Sequence, residues 1–559
     1  MLLLGCVASV QGLAQVIEND SILREMIRTS GQARVMVPFP GPGKLNELSA
    51  GFSIAAVNPD SVLVVISPLT VEMFISGDYN YRLIENTDSK GIVNSSCISD
   101  AKDWDSYPTY SQYDSIMRSF ATSNPDLCRL DTIGVSIYGK LILALKISDN
   151  VTVDEDEPET FFSSTIHGDE TGGFVLMLHL ADYLLENYPT DNRIARVVDN
   201  LELWINPLAN PDGTYRQGNT ISTPTRFNAN GYDLNRNFPD PETPNTVKQP
   251  ETLDMIKFMR NRKFIISANF HSGTEVVNYP WDRWSRLHAD DEWFYNISRK
   301  YADTVHLNAI PGYMTFLDDG VTNGYQWYKI NGSRQDFVTW EIQGREVTIE
   351  LDNNFVTPAG DLNALWQFNR SSMLGYLENA LQGVHGTVKD MFNGEPVAAK
   401  IFIAGHDTDS SHVYSDTLTG NFTRLLSPGQ WDLTFSATGY YPREEENVSV
   451  SADMETRLDV MMEPIFNPLD TIPVYDLYMY PNPSSETMRV RLPEWQEGTV
   501  NVRIYNSRGM KVADYFERAT KGVPLKIAVS NLPAGFYVLV TRSIDYNITD
   551  RAPFVVTRR

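Results

Sequence analysis

Phe161-Phe162-Ser163-Ser164-Thr165-Ile166-His167-Gly168-Asp169-Glu170 is the stretch on which the fold of this chain turns. Aromatic, small and β-branched residues run into four polar or permissive ones. That is the pattern of a strand buried on both faces of a sheet, with its polar residues delivered at the carboxyl end. A helical period, Phe174 to Tyr188, follows at once. The same kind of strand recurs at Leu201 to Asn206, Phe264 to Phe270 and Val347 to Leu351, and a second helical period runs from Tyr113 to Ala121. Strands alternating with helices predict an α/β unit over residues 104–382, a mixed, mostly parallel sheet flanked by helices. Ligands of such sheets sit at the carboxyl ends of the strands, and this chain keeps its unusual polar residues there.

The rest of the 559 residues is too much for one core, so three or four domains are expected. Residues 15–103 read as a small separate unit, an accessory or pro-domain, with strand-like runs at Ala33 to Val37, Ser53 to Val57 and Ser61 to Ile66. From residue 383 the pattern changes to short β segments punctuated by Asn393-Gly394, Pro428-Gly429 and Thr438-Gly439, the mark of a small all-β sandwich over 383–463. A linker rich in Pro and Asp, 464–474, leads to a second β-sandwich over 475–559. The opening MLLLGCVASVQGLAQ combines an apolar run with small residues, which predicts an export signal over 1–14; it lacks a basic start, and Leu4-Gly5-Cys6 leaves a lipoprotein reading open. No later stretch reaches the roughly 18 uninterrupted apolar residues of a membrane span.

A formal net charge of -25 excludes nucleic acid as a partner, because binding phosphates needs clustered Lys and Arg to displace counterions. Beyond Cys6, only Cys97 and Cys128 are present; they could pair in an oxidising compartment, but the fold does not rest on disulfides.

His167 and Glu170 stand three residues apart on the turn after one buried strand, and His271 follows another, in Asn-Phe-His-Ser-Gly. HxxE alone is weak evidence. With His271 it becomes two imidazoles and one carboxylate, a set that holds zinc and leaves it one position for water. One carboxylate and two neutral imidazoles also leave the ion a net positive charge, so it still acidifies water and polarises a carbonyl. The remaining histidines have no such setting, and His179 lies within an apolar helix as a packed side chain.

With these residues in view, the chain resembles the M14 zinc carboxypeptidases, in the branch of carboxypeptidases N, E and D. The likeness runs from about Tyr107 to Glu463. It is carried by HGDE at His167, NPDG at Asn210, NANGYDLNRNFPD from Asn228, NYPWD from Asn278, NGYQWY from Asn323 and REVTIEL from Arg345, then VHGTVKD and TGNFTRLLSPGQWDLTFSATGYYP of a transthyretin-like domain. The resemblance implies one Zn2+ per chain, held by His167, Glu170 and His271. It implies Glu350 as the general base and Arg226 as the cation beside the scissile carbonyl. It also implies Asn235 and Arg236 as the clamp for the substrate's terminal carboxylate. Asp282, eleven residues beyond His271, matches the aspartate that faces a basic C-terminal side chain in this branch, which implies release of Lys or Arg. The chain departs from the family at one point. Where a closing tyrosine is usual, it reads Gln335-Asp336-Phe337-Val338-Thr339-Trp340, so that Thr339 or Trp340 takes the tyrosine's place against the substrate.

The tail has Tyr480-Pro481-Asn482-Pro483, then Ser507-Arg508-Gly509, then Leu532-Pro533-Ala534-Gly535-Phe536-Tyr537, and ends in Thr557-Arg558-Arg559. That order resembles the C-terminal sorting domain of type IX secretion, and implies that machinery as a partner and a secreted or cell-surface protein. The expected activity is removal of single residues from peptide C-termini. The alternatives are a carboxypeptidase of other specificity, for apolar or cell-wall peptides, and a catalytically weakened surface binding protein.

Overall fold

The computed structural model describes residues 19–558 apart from 86–87, 154, 217, 244–246, 466–476, 493–496 and 545–548. The export-signal reading of 1–14 and most of the linker at 464–474 lie outside the described residues.

The central sheet has eight strands, in the order Val321–Asn323, Thr274–Tyr279, Arg345–Asp352, Phe264–His271, Glu159–Ser164, Glu202–Asn206, Leu141–Ile147, Cys128–Val135. Its middle four are mutually parallel, and antiparallel pairings follow on either side. The parallel core explains the unbroken apolar composition of those strands, since both faces are covered. On one face lie the helices Tyr110–Ser123, Gly172–Asn187, Asp291–Asn308 and Leu362–Glu378, sealed by residues such as Phe162, Leu176, Leu184, Phe270 and Trp366. On the other lies Pro250–Arg260, packed through Met255 and Met259 against Phe161, Trp204 and Phe264. His179 is stacked between Trp104 and Trp366, at 5.4 and 4.0 Å, and burial lowers its pKa to about 4. Cys97 is exposed and Cys128 buried, and both are free; the possible pairing does not form.

Before this unit comes an antiparallel sheet in the order Ser53–Val57, Ser61–Ile66, Ala33–Pro38, Arg82–Ile84, covered by helical residues 19–30 and the helix Pro42–Gly51. Its core is not self-contained. Tyr328 and Ile330 of the central unit are buried among Val35, Val37, Ile54 and Val64. After the central unit come two all-β units, each of two sheets, with cores around Val384, Leu433 and Phe435 and around Val502, Ile527 and Leu539. Among the described residues no helix is long and apolar enough to cross a membrane.

The first β unit is fastened to the central one by charge. Asp290 accepts from both terminal nitrogens of Arg424, at 2.8 and 3.0 Å, and from Arg345 at 2.6 Å; Arg424 also reaches Asp407 at 2.7 Å. Arg345 opens the strand that ends in Glu350 and Asp352, so the β unit braces that strand. Burial opposes the charge on both carboxylates, but Arg424 and Arg345 hold Asp290 well below the ordinary range, and His406 and Arg424 hold Asp407 near 2. Depressed carboxylates contribute stability that is complete above their unfolded pKa, near 3.8, and lost as pH falls through the folded value. The contact between these units is therefore expected to weaken between about pH 4 and 2, and not on the alkaline side; an acid titration followed by tryptophan fluorescence checks this.

Candidate functional site

The turn that carries His167 and Glu170 is forced off the sheet by Thr165. This β-branched residue sits at φ 61°, a left-handed conformation costing about 1–3 kcal/mol. Its carbonyl accepts the Asn210 N–H at 3.0 Å. Asn210 then closes the turn: its side chain donates to the carbonyls of Ile166 and Arg226, at 3.2 and 3.3 Å, and accepts from Gly213 N–H at 2.9 Å. A Cβ at Gly168 would run into the backbone of Gly213, which explains the glycine of His-Gly-Asp-Glu. His271 ends the strand Phe264–His271, and the parallel register sets Glu350 directly beside it.

These placements bring three side chains to one point. His167 Nδ1 lies 2.8 Å from Glu170 Oε1, His271 Nδ1 lies 2.7 Å from Glu170 Oε2, and the two Nδ1 atoms are 3.1 Å apart. All three side chains are buried, each about 2% exposed. Among the described residues they form a group able to hold one metal ion. The donor set fits zinc. Burial lowers His271 to about pH 4, whereas on His167 burial and Arg226 are outweighed by Glu170 and Asp233, which raise it; burial also works against Glu170, but contact with the two rings holds its carboxyl well below the ordinary glutamate range. The outer ring nitrogen of His167 meets a carboxylate that accepts its N–H, as a zinc-binding imidazole requires, whereas that of His271 accepts from an amide. His167 Nε2 faces Asp233 Oδ1 at 3.0 Å, and His271 Nε2 faces the Asn269 side-chain amide at 2.8 Å. Asn269 in turn meets Arg334 at 3.4 Å, whose fully buried guanidinium pairs with Glu346 at 3.0 Å.

Arg226 donates from Nε to Asp233 at 2.9 Å and from Nη1 to Glu170 at 3.1 Å, which puts its cation beside the ligand group. Glu350 is half-buried; burial first and the Glu170 carboxylate second hold it well above the ordinary glutamate range. Asn235 is buried and accepts the Arg334 backbone N–H at 2.9 Å. Arg236 spends Nη1 on the Asn235 carbonyl, while its buried Nε and Nη2 have no partner among the described residues.

Asp282 is 2% exposed and accepts from Asn278 at 3.1 Å and Gln335 at 3.2 Å. Burial raises its pKa against the pull of Ser333, Asn278 and Arg236. The amide oxygens of Asn278 and Gln335, also buried, lack donors. Beside them Asp336 is capped by the Asp282 and Arg283 backbone N–H groups, at 3.0 and 2.9 Å. Thr339 and Trp340 fall in a π-helical turn, Val338–Ile342. Thr339 is fully buried with its hydroxyl unpartnered among the described residues, whereas Trp340 is half-buried and its carbonyl accepts from the Gln343 side chain at 3.3 Å. Val338 and Ile342 of the same turn pack in the core around Phe264.

The sequence by itself assigns no role to Asp233, Asn269, Asn278 or Gln335. Asp233 and Asn278 lie inside the quoted motifs and Asn269 two residues before His271, but their roles depend on contacts between distant segments.

Comparison with known proteins places this geometry. Residues 113–372 match the family described as zinc carboxypeptidase, residues 383–463 the carboxypeptidase regulatory-like domain, and residues 478–552 the secretion system C-terminal sorting domain. Human carboxypeptidase D is 35% identical over 356 residues, covering 60% of this chain and 25% of that protein. The rat carboxypeptidase N catalytic chain is 32% identical over 379 residues, covering 59% of this chain and 81% of that one. The carboxypeptidase A structure from Helicoverpa armigera shares the fold, with a TM-score of 0.50 at 17% identity over 62% of this chain and 97% of that one. The chain belongs to the zinc carboxypeptidase family. It spans about a quarter of the length of carboxypeptidase D, and its sorting domain addresses it for export, to the cell surface or beyond.

Proposed function

We propose that the chain is an exported zinc metallocarboxypeptidase that hydrolyses the last peptide bond of peptides and proteins, with a preference for C-terminal Lys or Arg. One observation carries this reading. Arg236 offers two buried donors without an acceptor, while Asn278, Gln335 and the Asp282 carboxylate form a group rich in acceptors and short of donors. Buried polar groups are seldom left unpaired. A substrate ending in a carboxylate and bearing a cationic side chain satisfies both ends at once.

In this reading His167, Glu170 and His271 hold the zinc ion, which when bound supplies Lewis acidity toward water and the scissile carbonyl. Arg236, with Asn235 beside it, receives the terminal carboxylate through two parallel hydrogen bonds. That contact selects the last residue and sets its peptide bond in front of Glu350. Glu350 takes a proton from the attacking water and returns it to the departing amine, a task suited to a carboxyl group held above the ordinary glutamate range by burial and the Glu170 carboxylate. Arg226 stabilises the negative charge gathering on the carbonyl oxygen; losing such a donor costs about 3 kcal/mol. Asp233 holds the Arg226 guanidinium and the His167 ring through its two oxygens. The acidic surface, at net charge -25, favours cationic peptides on approach.

The test is a set of peptides that differ only in the last residue. Cleavage is expected to release Lys and Arg in preference to Leu, to stop after treatment with a strong chelator, and to return with one equivalent of zinc per chain. Equal release of every residue would remove the specificity and keep the enzyme; a chain that binds zinc without cleaving any peptide would favour a binding role.

A further inference from the structure

Three side chains of the N-terminal unit end on the groups that surround His167 and Glu170. Ser53 Oγ donates to Asp233 Oδ2 at 2.7 Å, the same oxygen that takes Arg226 Nε at 2.9 Å, while Asp233 Oδ1 faces His167 Nε2 at 3.0 Å. Gln32 bridges two loop segments of the site. Its Oε1 accepts the Arg226 backbone N–H at 2.8 Å and the Thr225 hydroxyl at 3.1 Å, and its Nε2 donates to Asp169 Oδ2 at 2.8 Å. Arg34 reaches the same Asp169 oxygen at 2.7 Å, with its guanidinium 4.0 Å from the centre of the Phe355 ring. Asp169 immediately precedes Glu170 in the chain. Gln32, Arg34 and Ser53 are 2%, 6% and 7% exposed.

Adhesion between the two units is already accounted for by apolar packing. Tyr328 and Ile330 insert into the core of the N-terminal unit, and Phe227 packs on Ala55 and Val65. Burying polar side chains in addition is unfavourable unless each finds a partner, and here every one of the three lands on the acidic or backbone groups behind the candidate ligands. Such outer contacts fix the tautomer and direction of a metal-binding imidazole, and their loss typically weakens metal affinity by about 10- to 100-fold.

We propose that the N-terminal unit is a standing part of the metal centre, with Ser53, Gln32 and Arg34 as positioning residues. Ser53 holds Asp233 so that the Nε2–H of His167 stays committed to it and Nδ1 remains free for the metal. Gln32 and Arg34 hold Asp169 and the Arg226 backbone, and through them the turn bearing Glu170. The inference rests on reading His167, Glu170 and His271 as zinc ligands.

The experiment uses the full chain, with Ser53→Ala, Gln32→Ala, their combination, the conservative Ser53→Thr, and Arg24→Ala as a control in the exposed Arg24–Glu72 pair of the same unit. Zinc affinity is measured by competition with a chromophoric chelator, the visible spectrum of the cobalt-substituted protein reports ligand geometry, and thermal melting is followed alongside. Ser53→Ala and Gln32→Ala are each expected to raise the zinc dissociation constant about tenfold, and the double variant about a hundredfold, with an altered cobalt spectrum. Ser53→Thr and Arg24→Ala are expected to match the parent. Parent-like zinc affinity in the double variant overturns the proposal. So does faster peptide cleavage by either alanine variant, which would make the N-terminal unit a cover over the site. A parent chain that binds no zinc overturns the ligand reading itself, whereas a difference confined to the variants concerns only the outer contacts.

Discussion

Glu350→Gln is expected to lower kcat/KM on a peptide ending in Lys by about 10³-fold while the protein keeps one zinc per chain. The substitution preserves size and leaves an amide that cannot accept a proton. Glu350 stands in register beside His271, so the change is made next to the ligands without touching one. A thousandfold loss corresponds to about 4 kcal/mol of transition-state stabilisation, within the range that a positioned base supplies. Steady-state kinetics with metal analysis on the same preparation make the measurement. A variant that retains a tenth of the parent rate would show that the proton leaves by another route. Reduced zinc content would instead move Glu350 from proton transfer to metal binding.

Asp282→Asn is the second large effect, and it acts on choice of substrate. In the proposed function a cationic side chain would meet the buried Asp282 carboxylate, which Asn278 and Gln335 support. Without the charge, that pairing is lost at a cost of about 2–5 kcal/mol, so kcat/KM for C-terminal Lys and Arg is expected to fall by about 30-fold to several thousandfold. Release of Leu is expected to hold or improve, since an apolar residue no longer leaves a charge unpaired. The pH dependence carries a sign. Burial raises the Asp282 pKa, so the Lys-over-Leu ratio is complete above that raised value and falls as the solution is acidified through it, because the carboxyl becomes neutral while lysine stays charged. In Asp282→Asn the same ratio is expected to be flat with pH. A parent ratio that rises on acidification would place the discriminating charge elsewhere.

Much of the central unit is legible in the linear chain because parallel strands buried on both faces are short and almost wholly apolar, and each is followed by its polar cargo. The run before His167 has this form, and the strand there spans Glu159–Ser164, beginning two residues earlier than its composition suggests. It also ends two residues early, because the left-handed backbone of Thr165 stops the pairing before the apolar run does. Turn-rich composition likewise announces the two β units. The π-helical turn that carries Thr339 and Trp340, with Val338 and Ile342 packed in the core, is a local geometry that residue order alone does not announce.

Taken by itself, the sequence determined the chemistry available: two histidines and a glutamate at strand ends, an acidic residue eleven places beyond His271, and the arginines and carboxylate of the quoted motifs. It also determined the family, because the likeness to carboxypeptidases D and N extends over more than 300 residues. Only the tertiary structure decided which groups remain without partners, and that the N-terminal unit reaches the site. Hydrogen bonding and burial are properties of pairs, and Ser53 is 180 residues from Asp233 in the chain. No local pattern encodes a contact over that distance; it exists because a strand of one unit and a loop of another share one buried, polar seam.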